Sequence, residues 1–138
     1  MNKLVIIIVS ASNIFGIIPL MKLYDDKRYF GMAIVFCAII SSILMHITET
    51  KHKLNGLCLV KYSKLFLNTD RFFAIMTFIY GLYLFHRNQN KNMLHVIFII
   101  FGGICSGLGE ITNNLFLYTT LHVAWHFIAY YSLRLVSF

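Results

Sequence analysis

The sequence predicts an all-α integral membrane protein, a bundle of about five transmembrane helices. Three observations carry that expectation. Of the 138 residues, 59% are hydrophobic and only 12% are charged, about half the charge of an ordinary soluble domain. The apolar residues fall into long runs separated by short polar breaks. Those runs lack the two-residue alternation of a strand, so helices are the structures that satisfy the backbone in lipid. A soluble domain this small has too much surface for its volume to hide so much apolar area. A bilayer solvates that area instead.

Taken in order, the first run is Leu4 to Leu20, predicting a helix over 4–22. Lys22, Asp25, Asp26, Lys27 and Arg28 then mark a polar turn. Lys3 and the small-residue stretch Val9-Ser10-Ala11 also fit a signal peptide and its cleavage site. The apolar run continues well past that site, which favours a retained span. Phe30 to Ile47 predicts a helix over 29–48. The mixed stretch Thr48 to Asn68 follows, with Lys51, Lys53, Lys61 and Lys64. Within it, Leu57 to Leu67 suits a short amphipathic element at the interface. Phe72 to Phe85 is too short for a span of about 20 residues. Recruiting Phe66 to Arg71 gives a helix over 66–86 and sets Asp70 in its first turns.

His86 to Asn92 reads as a polar loop, and Met93 to Gly109 as a helix over 93–109. In that helix Gly102, Gly103, Gly107 and Gly109 permit close approach of a neighbour. Leu115 to Val136, with its lead-in, predicts a helix over 114–136. The expectation is a single transmembrane domain over 1–138, multi-pass, with no internal repeats. Lys and Arg are shared evenly between the two sides, so charge leaves the orientation open.

The net charge is +7. The basic residues sit mostly between apolar runs, so anionic lipid headgroups rather than nucleic acid are the expected partner. Cys37, Cys58 and Cys105 are an odd set without CxxC spacing and form no disulfide framework.

Ionisable side chains within spans are costly and usually face a bundle interior. Ser42 and His46 are four apart near the end of the second helix and share a face. Asp70 is near the start of the third. His122 and His126 are four apart in the first half of the fifth and also share a face. Because successive helices alternate in direction, all five residues arrive at one depth. Glu49 and Glu110 fall at the same end and are candidates for the rim.

Three neutral imidazoles at one depth suit zinc, which in catalytic sites takes three protein ligands and leaves a fourth position for water. Such an ion lowers the pKa of its water to about 7. Asp70 is placed to orient that water or shuttle its proton. Ser42 is placed to donate to a developing oxyanion. Each motif also has a plainer explanation. HxxxH spacing arises easily by chance, and membrane histidines hydrogen-bond between helices. A helical serine usually bonds back to its own backbone. Asp70 beside Arg71 fits a salt bridge or helix cap. Only the shared depth favours one site. His52, His86 and His95 are expected to be solvated or interfacial. Tyr118, Trp125, Tyr130 and Tyr131 are expected to be packing groups or interface anchors.

The order Ser42-x-x-x-His46, Asp70, then His122-x-x-x-His126 resembles the CREST superfamily of membrane hydrolases. That superfamily includes alkaline ceramidases, adiponectin receptors and myomaker-like proteins. The stretch from Lys27-Arg28-Tyr29-Phe30 through His46, Leu57-Cys58-Leu59 and Asp70 is most similar to the myomaker-like branch. The resemblance runs from about Lys27 to Arg134. It implies a reduced version of a seven-helix fold, with Zn2+ held by His46, His122 and His126. Asp70 and Ser42 would act as catalytic residues beside the metal. It also implies hydrolysis of a lipid amide or ester, the substrate being a sphingolipid or glycerolipid reached from the bilayer.

Family members carry three helices between the Asp helix and the HxxxH helix, and only one is expected here. Losing a pair preserves the side from which the histidines enter but removes wall from the cavity. The alternatives are a non-enzymatic relative with structural zinc, active in membrane remodelling or as a partner subunit, and a small channel of the viroporin type. A homo-oligomer is compatible with each.

Overall fold

The computed structural model describes residues 2–87 and 93–137. Its first segment is helical in three pieces: α1 (Asn2–Ala11), a 3-10 turn (Ser12–Gly16) and α2 (Ile17–Asp25). Together they run as one 24-residue rod, Asn2–Asp25. Pro19 explains part of the interruption, because proline removes an N–H and crowds the preceding turn. Gly16 fits the rod against its neighbours, since a Cβ there would run into Ile39.

The chain then turns through Lys27, whose φ is +56°, and enters α3 (Tyr29–Thr48). The next connection contains two 3-10 turns, Lys51–Lys53 and Val60–Tyr62. After it come α4 (Ser63–Arg87), α5 (Met93–Ile111) and α6 (Leu115–Val136). The Asn114 side chain caps α6 by accepting from the Phe116 and Leu117 amides, which satisfies two of the donors exposed at a helix start.

Two expectations shift. The stretch Leu57 to Leu67 is not one amphipathic element. It divides into irregular chain, a 3-10 turn and the opening of α4. The helix expected over 66–86 begins earlier, at Ser63, so Asp70 lies two turns into α4. The expected polar loop His86 to Asn92 lies outside the described residues beyond Arg87. His86 is exposed at the end of α4.

Among the described residues there are helices and no strands, so the fold is an all-α bundle. The rod, α3 and α5 are each long and apolar enough to cross a membrane. The helices α4 and α6 have 25 and 22 residues, enough for a span of about 20, but they carry the polar residues discussed below. Large apolar side chains face outward, among them Phe30, Phe72, Ile75, Ile100 and Phe116. In water such a surface is a liability; in lipid it is ordinary.

The packing is uneven. The main pairs are α3 with α4 and α5 with α6, and the rod bridges α3 and α6. One core cluster joins Leu23, Val35, Ile39, Leu84 and Leu133 across α2, α3, α4 and α6. A smaller one joins Val5, Ile6, Val9, Leu54 and Tyr118. Gly31 lets α4 approach α3, because a Cβ there would enter the Tyr80 ring. Between α4 and α5 the described residues scarcely pack. The two meet near their joined ends, where Phe85 stacks on His95 at 5.4 Å, and leave a cleft elsewhere.

Candidate metal centre

The helix directions bring His46 near the end of α3 to the level of His122 and His126 in the first half of α6. All three are buried, and one nitrogen from each lies within 4.8 Å of the others. Their ring centroids are 4.6 Å (His46–His122), 5.4 Å (His46–His126) and 5.0 Å (His122–His126) apart. A tetrahedral ion with metal–nitrogen bonds of about 2.0–2.1 Å holds its imidazole centroids about 5 Å apart. The rings therefore already sit at the separation that an ion requires. Ligand nitrogens in such a site are closer together than 4.8 Å, so the three nitrogens must draw in toward a common point for an ion to bind.

Hydrogen bonds orient two of the three rings. His46 Nδ1 is 3.1 Å from Glu49 Oε2, and a carboxylate only accepts, so Nδ1 carries the hydrogen. The opposite nitrogen, Nε2, is buried and has no hydrogen-bond partner among the described residues. An orphaned buried acceptor of this kind is what a metal would satisfy. His126 Nδ1 is 2.6 Å from Ser12 Oγ. Ser12 already donates its only hydrogen to the Val9 carbonyl at 2.6 Å, so His126 Nδ1–H donates to Ser12. Its Nε2 is left with a lone pair. Ser42 Oγ lies 3.3 Å from that Nε2 and also faces the Asp70 carboxylate, so two acceptors share its one hydrogen.

Behind His46, Tyr118 Oη donates to the same Glu49 oxygen at 2.6 Å. The His52 ring stacks on Tyr118 at 4.3 Å. This carboxylate–histidine arrangement resembles the outer shell that fixes ring orientation and raises ligand basicity in metal sites. Three buried histidines close together, two with the correct nitrogen freed, can hold a metal ion.

No family profile, curated protein or solved structure matches this chain. The site therefore stands on its own geometry.

Beside the histidines lies a cavity of about 450 Å³. Ser42, Asp70, His122 and His126 line it together. Asp70 is half-buried, and its carboxylate faces the Ser42 hydroxyl and the charge of Arg71. All five residues singled out from sequence thus come to one place.

Others behave differently from expectation. Glu49 is buried beneath His46 rather than standing at the rim. Glu110 does lie at the rim, paired with Lys51 at 2.6 Å. Tyr118 and Tyr130 are hydrogen-bonding members of the interior, since Tyr130 Oη donates to Asn13 at 3.0 Å. His95 is buried, at 2% exposure, where an interfacial position was expected. Gly103 and Gly107 have open space where a Cβ would stand, so only Gly102 and Gly109 have a neighbouring helix within contact range. Ser12 and Asn13 were not singled out. The signal was a pair of polar residues inside an otherwise apolar run, the same signal that picked out Ser42.

Proposed function

We propose that the chain spans the membrane several times, with five helical segments. In this reading it is a CREST-like, zinc-dependent hydrolase of lipid amide or ester bonds. The observation that carries the reading is the His46–His122–His126 triangle opening onto a cavity that also holds Asp70 and Ser42. Zinc suits a set of three neutral imidazoles, whereas magnesium and calcium prefer oxygen donors. When bound, zinc supplies a Lewis acid and acidified water for attack on a carbonyl.

The remaining roles belong to the chain. His46 and His126 present Nε2, held by Glu49 and Ser12 respectively. Asp70, which lines the same cavity, accepts a proton at its carboxylate and passes it to the leaving group. Once His126 Nε2 is engaged, the Ser42 hydroxyl is free to donate to the substrate's carbonyl oxygen. The cleft between α4 and α5 gives a membrane lipid sideways access to the cavity. The apolar walls supplied by Ala74, Phe78 and Phe98 suit acyl chains.

Incubating the zinc-loaded protein in mixed micelles with sphingolipid and glycerolipid amides and esters tests this reading. Release of fatty acid that stops on chelation and returns with zinc is the expected result. A second reading has one observation in its favour: the cleft leaves the cavity unwalled on one side. Under it, zinc is structural and the bundle acts in membrane remodelling or as a partner subunit. Full zinc content with no turnover across the panel would select it.

A further inference from the structure

The cavity has a second polar end, away from the histidine triangle. His95, in the first turn of α5, donates from Nδ1 to the Ser132 carbonyl at 3.0 Å. Its Nε2 is buried and has no partner among the described residues. Thr77 Oγ1 on α4 is in the same condition. Both residues line the cavity. They face the cavity from neighbouring helices: a Cβ on Gly81, one turn beyond Thr77 on the same face of α4, would stand 3.8 Å from His95 Cε1.

The chemistry of the corner is specific. With Nδ1–H committed to a carbonyl, His95 Nε2 is only an acceptor. The threonine hydroxyl can donate. A ligand hydroxyl matches both, donating to His95 and accepting from Thr77. The corner also lies at a defined distance from the metal centre. Ser132 is six residues beyond His126 on α6 and Thr77 seven beyond Asp70 on α4, which places them about 9 and about 10.5 Å further along their helices.

We propose that His95 and Thr77 form a subsite for the hydroxyl group of a long-chain amphiphile whose other end reaches the histidine triangle. The subsite selects hydroxylated chains over plain ones. The bridging of the two ends rests on the metal reading above; the hydroxyl subsite does not. An ordered water is the competing occupant, because a polar corner of this kind can hold one.

The first test uses full-length, zinc-loaded protein in detergent. Plain alkyl hydroxamates and their ω-hydroxy counterparts, roughly six to twelve carbons long, are titrated by calorimetry. At the chain length that spans the two ends, the ω-hydroxy compound is expected to bind about tenfold tighter, since buried polar groups reject a ligand that leaves them unpaired. That advantage should vanish in His95→Phe, which keeps the stack on Phe85, and in Thr77→Val. Plain hydroxamates should bind wild type and variants alike. Equal binding of both series at every length, or an advantage that survives both variants, would overturn the subsite.

The second test removes the metal. In His122→Ala, a long-chain alcohol should still shift the nitrogen NMR resonance of His95 Nε2, and the matching alkyl chloride should not. The absence of that shift would overturn the subsite whatever the metal centre does. Loss of hydroxamate binding with the shift retained would overturn only the metal reading.

Discussion

The Tyr118 hydroxyl and the Glu49 carboxylate meet at 2.6 Å beneath His46. The oxygen that accepts from Tyr118 also accepts from His46 Nδ1. One buried carboxylate thus sets the tautomer of a metal-ligand candidate, and a tyrosine from the opposite helix holds that carboxylate still. Replacing Glu49 with leucine should weaken zinc binding roughly 10- to 100-fold, the usual cost of losing an outer-shell partner. Tyr118→Phe should act in the same direction and more weakly, because His46 keeps its acceptor. Competition with a fluorescent chelator measures both.

Ser12 gives an independent prediction from the other side of the site. It holds His126 Nδ1 at 2.6 Å and sits in the 3-10 turn between α1 and α2. Ser12→Ala leaves that N–H unpaired and the ring free to rotate. Zinc affinity should fall about tenfold. Circular dichroism in the same detergent should stay unchanged. Unaltered affinity would show that the first rod does not take part in the site.

Asp70 and Ser42 separate binding from chemistry. Neither belongs to the histidine triangle, so Asp70→Asn and Ser42→Ala should retain zinc. Losing the proton acceptor should cut lipid turnover by about 100- to 10,000-fold. If Asp70→Asn loses zinc instead, the carboxylate is a ligand and its assigned role is wrong.

The glycines divide by what surrounds them. Gly31→Ala drives a Cβ into the Tyr80 ring and should cost about 1–3 kcal/mol of stability, as overpacking usually does. Gly107→Ala meets open space and gains helix propensity, so it should be neutral or stabilising by up to about 1 kcal/mol. Thermal unfolding in one detergent compares the two directly.

Much of this arrangement was legible in the sequence, for physical reasons. Long apolar runs can only be helices in lipid. Helix direction alternates along the chain, so counting helices placed Ser42, His46, Asp70, His122 and His126 at one level of the bundle. Tyr118 stands four residues before His122, so helical spacing already set it on the histidine face. What the sequence did not give was its partner, since the turn that buries Glu49 under His46 has no periodic signal. His95 misled for a similar reason: it follows a polar loop, yet its ring turns inward to Ser132. Ser12 lies in a long apolar run, where one short hydroxyl side chain barely lowers the hydropathy. Local backbone detail was equally illegible, as the 3-10 turn at Ser12–Gly16 shows.

The central claim is that His46, His122 and His126 hold one zinc ion. Metal analysis of detergent-purified protein, wild type beside His122→Ala, tests it most directly. About one zinc per chain in wild type and close to none in the variant is the expected result. No zinc in wild type, or the same zinc in both proteins, would contradict it.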